Sequence, residues 1–146
     1  MTTIAQAGIT ATASPEAFFA RWADMATWPQ WNTDTQWVRL DGPFTQGATG
    51  VLKPRGGPKV RFEVAVLVPG REFTDVSRLF GARLTFRHLV ARDGAGATRV
   101  DVEVTLTGPL APLWNLALGK GIKAGIQGDL ERLASAAAEH GAAVEV

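Results

Sequence analysis

The hydrophobic pattern of this chain changes from strand-like to helical at Gly108-Pro109. Between residues 35 and 107, apolar residues alternate with polar ones in short runs, as in strands with one buried and one solvated face. From Leu110 to Ala137, apolar residues recur at helical spacing, which predicts one long amphipathic helix. A chain with this pattern is expected to fold as an antiparallel sheet covered by a helix, an α+β protein.

The residues before this sheet predict one further strand and two short helices. Residues 3–12 contain the β-branched residues of a strand. Ser14-Pro15-Glu16 then supplies an N-cap, a proline at the first helical position and a first-turn acid. The second short helix is expected to end by Pro29. Turn residues divide the part from 35 to 107 into a six-stranded meander.

The length of 146 residues predicts a single domain at residues 1–140, followed by a frayed tail at 141–146. The formal net charge of +1 offers no field that would attract nucleic acid. The absence of cysteine excludes disulfides and thiolate metal sites, and it suits a cytoplasmic location. No signal peptide and no apolar run of the ~18 residues that span a bilayer are found, so integral membrane association is not expected. The sequence does not indicate an oligomeric state.

Several local motifs occur in a characteristic order. They are Ser14-Pro15-Glu16, Trp28-Pro29-Gln30-Trp31-Asn32, Gly94-Ala95-Gly96-Ala97-Thr98-Arg99-Val100 and Gly108-Pro109-Leu110. In their order and spacing, over nearly the whole chain, they resemble the START-like (SRPBCC) superfamily, and most closely its bacterial polyketide cyclase/dehydrase-type members. The resemblance implies a helix-grip fold, in which a curved seven-stranded antiparallel sheet surrounds the C-terminal helix and leaves an apolar cavity. Members bind lipids, sterols, plant hormones or aromatic polyketides, and some bind protein clients.

Two turns predict which side chains face such a cavity. Two-residue turns at Pro69-Gly70 and Phe80-Gly81 would fix the register of two hairpins, whereas a longer loop would reverse the face. The predicted inner face carries Phe62, Val64, Val66, Phe73, Leu84 and Phe86 with the polar Asp75, Ser77 and His88. Asp75 and His88 would be diagonal neighbours ~7 Å apart at Cβ, and they are the catalytic candidates. The alternative is that His88 is a satisfied interior histidine or a residue at the rim of the cavity.

The candidate ligand-binding residues are mostly apolar, as in small-molecule pockets. They are Phe62, Val64, Phe73, Asp75, Phe86, His88, Trp114, Leu118 and Ile122, with Trp28 and Trp31 as gate candidates. Core packing is the alternative for the tryptophans, and the pattern does not fix which face Trp37 occupies. Four glycines interrupt the long helix at a cost of ~1 kcal/mol each, which indicates either close packing on the sheet or room for a ligand. They are Gly119, Gly121, Gly125 and Gly128.

Three functions are compatible with these observations. The first is a binding protein for a small hydrophobic molecule, which requires only the pocket. The second is a cyclase or dehydratase that uses His88 and Asp75 as acid and base. The third is an interaction module of the chaperone-activator type, with an exposed aromatic surface between Trp28 and Trp37. His88 and His140 are the only histidines, and no phosphate-binding glycine motif occurs, so neither a metal nor a nucleotide cofactor is expected.

Overall fold

Residues 2–145, whose backbone the computed structural model describes, contain seven strands that form one antiparallel sheet; side chains are described for residues 2–139. The strands are β1 (Thr2–Ala11), β2 (Thr35–Leu40), β3 (Thr49–Pro54), β4 (Val60–Val68), β5 (Glu72–Leu79), β6 (Ala82–Arg92) and β7 (Thr98–Thr107). Their order across the sheet is β1-β7-β6-β5-β4-β3-β2. The strands β2 to β7 therefore form the predicted meander, and β1 pairs with the last of them. The predicted helix-grip fold is confirmed.

Two short helices follow β1, as expected. Helix α1 (Pro15–Ala23) begins where Ser14 Oγ accepts a hydrogen bond from the Ala17 amide at 3.2 Å. The second helix is a 3₁₀ helix (Met25–Gln30). It contains Pro29 within its last turn instead of ending before it. These two helices lie between the first strand and the meander in sequence, and they pack against the C-terminal helix and β2.

The C-terminal helix is continuous from Ala111. It consists of α2 (Ala111–Trp114), a π-helical turn (Asn115–Gly119) and α3 (Lys120–Glu145). The tail predicted from residue 141 is helical in its backbone through Glu145. The side chains of residues 140–146 lie outside the described part of the chain.

Helix α3 rests chiefly on β1 and α1, at one side of the sheet. Two side-chain hydrogen bonds to backbone carbonyls hold it there. Arg21 Nε of α1 donates to the Ala136 carbonyl at 2.9 Å, and Gln127 Nε2 donates to the Gly8 carbonyl of β1 at 3.2 Å. Because the helix is supported on this side, space remains between its second half and the central strands β5 and β6.

The strand register places Asp75 on the inner face, although one of the two turns is longer than predicted. The β5–β6 turn at Phe80-Gly81 has two residues, and Phe73 pairs with His88 as expected. In the β4–β5 hairpin, however, Val68 pairs with Glu72, so three residues form the loop. A β-bulge between Val64 and Val66 compensates for the extra residue.

The bulge also changes one predicted contact. Val66 pairs with Thr74 rather than Phe73, and Leu67 takes the position opposite Phe73. Beyond the bulge, Val64 pairs with Asp75 and Phe62 with Ser77, as predicted.

A side chain at any of the four glycines of the C-terminal helix would have no sheet atom among its nearest neighbours. A methyl group at Gly121 would meet no atom within 4 Å, and one at Gly125 would meet Asp34 Oδ2 at 3.7 Å. Methyl groups at Gly119 and Gly128 would meet only side chains of the same helix, Asn115 and Arg132. Close packing on the sheet and space for a ligand were therefore both wrong as explanations for these glycines.

Candidate functional site

A cavity of about 100 Å³ lies between the inner face of β5 and β6 and the second half of α3. Trp28, Trp31 and Asn32, at the end of the 3₁₀ helix, line one side of it. The other walls are mainly apolar and include Trp22, Leu52, Phe73, Phe86, Val102, Ile126, Leu130 and Leu133. Asp75, Ser77 and His88 also line the cavity, and Asp129 contributes a carboxylate from α3. This is the composition of a ligand pocket, apolar with a few polar groups that fix orientation.

Asp75 is the carboxyl group on the sheet side of this cavity. The residue is 8% exposed, and no hydrogen bond from a described residue stabilises its ionised form. Burial raises the pKa of Asp75 to about 7, because an ionised carboxylate loses its hydration there. Near neutral pH the group is therefore divided between its protonated and ionised forms.

His88 lies beside Asp75 on the neighbouring strand, and its ring is enclosed by aromatic residues. The imidazole stacks on Phe73 at 5.1 Å between ring centroids and contacts Trp22 at 5.0 Å. Its Nδ1 lies 2.8 Å from the Phe73 carbonyl oxygen. A carbonyl only accepts, so Nδ1 carries the proton and Nε2 is left as an acceptor.

Burial lowers the pKa of His88 to about 4, and the hydrogen bond to Phe73 opposes this shift only in part. The imidazole is therefore neutral at physiological pH. Its hydrogen-bond partner is the Phe73 carbonyl rather than Asp75. A neutral His88 with so low a pKa is a weak base, so Asp75 is the group better suited to proton transfer near pH 7.

Two indole N–H groups at the cavity have no partner among the described residues. Trp22 Nε1 and Trp31 Nε1 are buried and unbonded, whereas Trp28 Nε1 donates to the Trp22 carbonyl at 3.1 Å. An unsatisfied buried donor costs about 1–3 kcal/mol. A ligand oxygen that accepts one of these hydrogen bonds would recover that cost.

A polar clamp holds the 3₁₀ helix and the residues after it against α3. Arg132 Nε donates to the Trp31 carbonyl at 3.0 Å, and its guanidinium pairs with Asp129. The pKa of Asp129 is raised, first by burial and also by the nearby Asp34 carboxylate, while Arg132 and the Thr33 backbone oppose the rise. The side of the cavity formed by Trp31 is thus tied directly to the helix that forms its opposite wall.

The structure brings together only part of the predicted site. Phe73, Asp75, Phe86, His88, Trp28 and Trp31 all line the cavity. Phe62 and Val64 are buried in the core outside it. Phe62 pairs with Gly50 across the strands, and its ring covers the position where a side chain of residue 50 would stand.

The helix contribution to the cavity begins later than predicted. Trp114, Leu118 and Ile122 pack against the core without lining the cavity, and Trp114 Nε1 donates to the Phe80 carbonyl at 2.7 Å. Ile126, Leu130 and Leu133 line the cavity instead. They belong to the same apolar stripe, but periodicity alone does not show which turns of the helix lie above free space.

The aromatic surface predicted between Trp28 and Trp37 is absent from the described part of the chain. Trp28 and Trp31 are 5% and 7% exposed and pack on each other at 5.5 Å between ring centroids. Trp37 is half-buried, while the adjacent Val38 faces the core. The hypothesis of an interaction module required this surface to be exposed, so the structure does not support it.

Comparison with known proteins agrees with this architecture. The profile of the family described as polyketide cyclase / dehydrase and lipid transport matches residues 2–138. The chain belongs to this family. Membership of the START-like superfamily, predicted from the motif order, is thereby confirmed. No curated protein matches the sequence.

Within residues 2–145, no helix of this family member is both long enough and apolar enough to cross a bilayer.

Solved structures share the fold of this family member at low sequence identity. Protein MLL2253 from Mesorhizobium loti is 16% identical with a TM-score of 0.71, over 92% of this chain and 96% of that chain. The structure of Ara h 8.0201 is 14% identical with a TM-score of 0.69, over 92% and 96%. DynU16, a protein in the dynemicin biosynthetic locus, is 20% identical with a TM-score of 0.65, over 90% of this chain and 45% of that chain. At these identities the likeness shows the fold alone.

Proposed function

We propose that this protein binds a small, largely apolar molecule in the cavity between β5, β6 and α3. The observation that carries the proposal is the set of polar groups that the fold leaves unsatisfied within apolar walls. Among the described residues, none makes a hydrogen bond to Asp75, and none accepts one from the Trp22 or Trp31 indole. Such groups destabilise an empty cavity, and a ligand that pairs with them offsets the cost.

The same groups indicate the chemistry of the ligand. A hydroxyl group satisfies Asp75 in either protonation state, and a carbonyl or ether oxygen accepts from an indole. The cavity of about 100 Å³ is smaller than the roughly 300–1,000 Å³ of drug-sized pockets. The proposed ligand is therefore a compact, uncharged molecule with one or two oxygens, or a larger one that displaces the Trp31 side of the cavity.

The neutral fluorophore N-phenyl-1-naphthylamine is larger than the empty cavity and has no oxygen, so its fluorescence titration tests the apolar part of the proposal, for the larger ligands that displace the Trp31 side. The variant Ser77→Leu places a larger side chain inside the cavity, and we expect it to bind the fluorophore at least about tenfold more weakly, a loss of ~1.4 kcal/mol. Ser135→Leu makes the same change on the exposed side of α3 and is expected to leave affinity unchanged. Circular dichroism of both variants checks that the fold is retained.

The outcomes of this titration separate a cavity ligand from surface binding. Equal affinity of wild type, Ser77→Leu and Ser135→Leu, with the fold intact, would reject the cavity as the binding site. Native mass spectrometry of protein purified from its own host then tests for a co-purified molecule, which the proposal expects to be absent or reduced in Ser77→Leu.

A second candidate function is acid–base catalysis of a cyclisation or dehydration in the same cavity. The pKa of Asp75 at about 7 supports it, because a general acid–base group is most effective when its pKa lies near the working pH. In this version His88 orients the substrate through Nε2. Carbon-13 NMR titration provides the test: a carboxyl signal that titrates near pH 7 and is missing in Asp75→Asn is expected. Titration of every carboxyl group below pH 5 would remove this candidate.

A further inference from the structure

Three large apolar side chains protrude at the end of the molecule where β5 turns into β6. Phe80, in the turn, is 83% exposed, and Leu113 and Leu116 of the C-terminal helix are 61% and 83% exposed. The last two are three residues apart and so lie on one helix face. The turn is fixed to this helix, because Trp114 Nε1 donates to the Phe80 carbonyl at 2.7 Å and the Leu110 amide to the Gly81 carbonyl at 2.9 Å.

Basic residues border these apolar side chains. Arg78 and Arg83 are directly opposite each other on β5 and β6, and both are exposed. Like charges in this arrangement destabilise a sheet. The described residues provide no ion pair for either arginine, and the two line a shallow groove beside Pro109. Lys120 is exposed one turn after Leu116.

We propose that this hairpin-tip surface, formed by Phe80, Leu113, Leu116, Arg78 and Arg83, docks on an anionic phospholipid membrane. The three apolar side chains enter the boundary between headgroups and acyl chains, and the arginines contact lipid phosphates. Shallow insertion of bulky residues together with basic side chains is the general physical basis of reversible membrane binding. The negative surface also removes the repulsion between Arg78 and Arg83.

The size and shape of the surface favour a membrane over a protein partner. A stable protein interface buries roughly 800 Å² and 20–30 residues on each side. Here only three large apolar side chains are exposed, far fewer residues than such an interface contains. Protruding side chains can insert into a fluid lipid surface one by one, without the shape complementarity that a protein interface requires. No residue of the docking surface lines the cavity, although both use β5, β6 and the C-terminal helix, so the docking proposal does not depend on the ligand proposed above.

Vesicle co-sedimentation provides the test. The full-length protein is mixed with vesicles of phosphatidylcholine alone, or of phosphatidylcholine with phosphatidylglycerol. We expect binding to the anionic vesicles only, and we expect added salt to weaken it. Replacing both arginines, Arg78→Gln with Arg83→Gln, is expected to reduce the partition coefficient about 25-fold, or fivefold per cation. Phe80→Ser is expected to reduce binding by a similar amount.

A matched control lies at the opposite end of β5. Val68, which is 43% exposed, is the last residue of β4, and the exposed Arg71 lies in the loop that follows it. Val68→Ser with Arg71→Gln therefore removes the same kinds of side chain from the other end of the strand, and we expect unchanged vesicle binding. All variants should bind N-phenyl-1-naphthylamine as wild type does, because none alters the cavity.

Three results would overturn the proposal. The first is no binding of wild-type protein to anionic vesicles. The second is equal binding to both vesicle types, or equal loss in the control variant. The third is concentration-dependent self-association that Phe80→Ser abolishes, without vesicle binding, since this would assign the surface to a second copy of the chain. Each of these results leaves the cavity proposal untouched, because the fluorophore titration is read separately.

Discussion

Asp75 and His88 are both buried, and burial shifts their pKa values in opposite directions. The pKa of Asp75 rises to about 7 in the folded protein, while that of His88 falls to about 4. Between about pH 4 and 6.5, the folded state therefore holds one more proton than the unfolded state at Asp75 and one fewer at His88. The two contributions to the pH dependence of stability have opposite signs and nearly cancel in this window. The free energy of unfolding of wild type is therefore expected to change little with pH in this window, although both groups titrate.

Replacing Asp75 by asparagine removes one of the two opposing contributions, so the difference from wild type measures the contribution of Asp75. In Asp75→Asn, we expect the free energy of unfolding, relative to wild type, to rise between about pH 4 and 7, by on the order of 4 kcal/mol for a pKa difference of three units. The reason is that wild type loses the stability conferred by protonated Asp75 as the pH rises toward its folded-state pKa. Urea denaturation of both proteins across this range measures the difference.

The reciprocal variant provides the control. Asparagine at position 88 can still donate to the Phe73 carbonyl but does not titrate. In His88→Asn, stability relative to wild type should therefore fall as the pH rises from about 4 to 6.5, since wild type gains stability in this window as unfolded histidine loses its proton. If both variants show profiles parallel to wild type, neither group is buried as described.

At the level of elements, the β4–β5 hairpin shows what a sequence pattern can and cannot predict. The inward position of Asp75 was predicted from a two-residue turn, but the loop has three residues, and the bulge at Val64 and Val66 restores the register. The prediction was correct because two deviations cancel. An alternating run of apolar residues contains no signal for such a bulge, since Ala65 fits a regular strand equally well. The β5–β6 register, by contrast, followed directly from its two-residue turn.

The helix glycines lead to a prediction at the same scale. Gly121 is exposed, lies within the continuous C-terminal helix, and has room for a methyl group. Gly121→Ala is therefore expected to stabilise the protein by about 1 kcal/mol, through lower backbone entropy in the unfolded state. This should raise Tm by roughly 3 °C in a calorimetric scan.

Gly50 of β3 provides the contrast. A methyl group there would collide with the Arg39 carbonyl oxygen and lie 2.6 Å from the Phe62 ring, so Gly50→Ala should lower Tm. If Gly121→Ala also lowers Tm, the description of Gly121 as an exposed helical residue with room for a methyl group is contradicted.

At the scale of the whole molecule, the position of the cavity depends on how the helix is supported. The apolar stripe predicted that the helix covers the sheet, but not where it would stand away from it. Its contacts with β1 and α1, and the hydrogen bond from Arg21 to the Ala136 carbonyl, leave the free space beside Ile126, Leu130 and Leu133. Such contacts join residues more than a hundred positions apart, which local patterns do not encode.

Arg132 connects helix α3 to the residues that follow the 3₁₀ helix. Its Nε donates to the carbonyl of Trp31, 101 residues away in sequence, and so holds one side of the cavity closed. The guanidinium is partly exposed, so we assign this contact about 1 kcal/mol rather than the larger values of buried charged hydrogen bonds. In Arg132→Ala, amide hydrogen exchange in residues 25–35 should therefore accelerate about fivefold, while exchange in the central strands stays unchanged. Lys123→Ala, also an exposed cation on α3, should change neither region. Equal acceleration throughout the molecule would mean that Arg132 supports global stability instead, and the 3₁₀ helix would then not open as a separate unit.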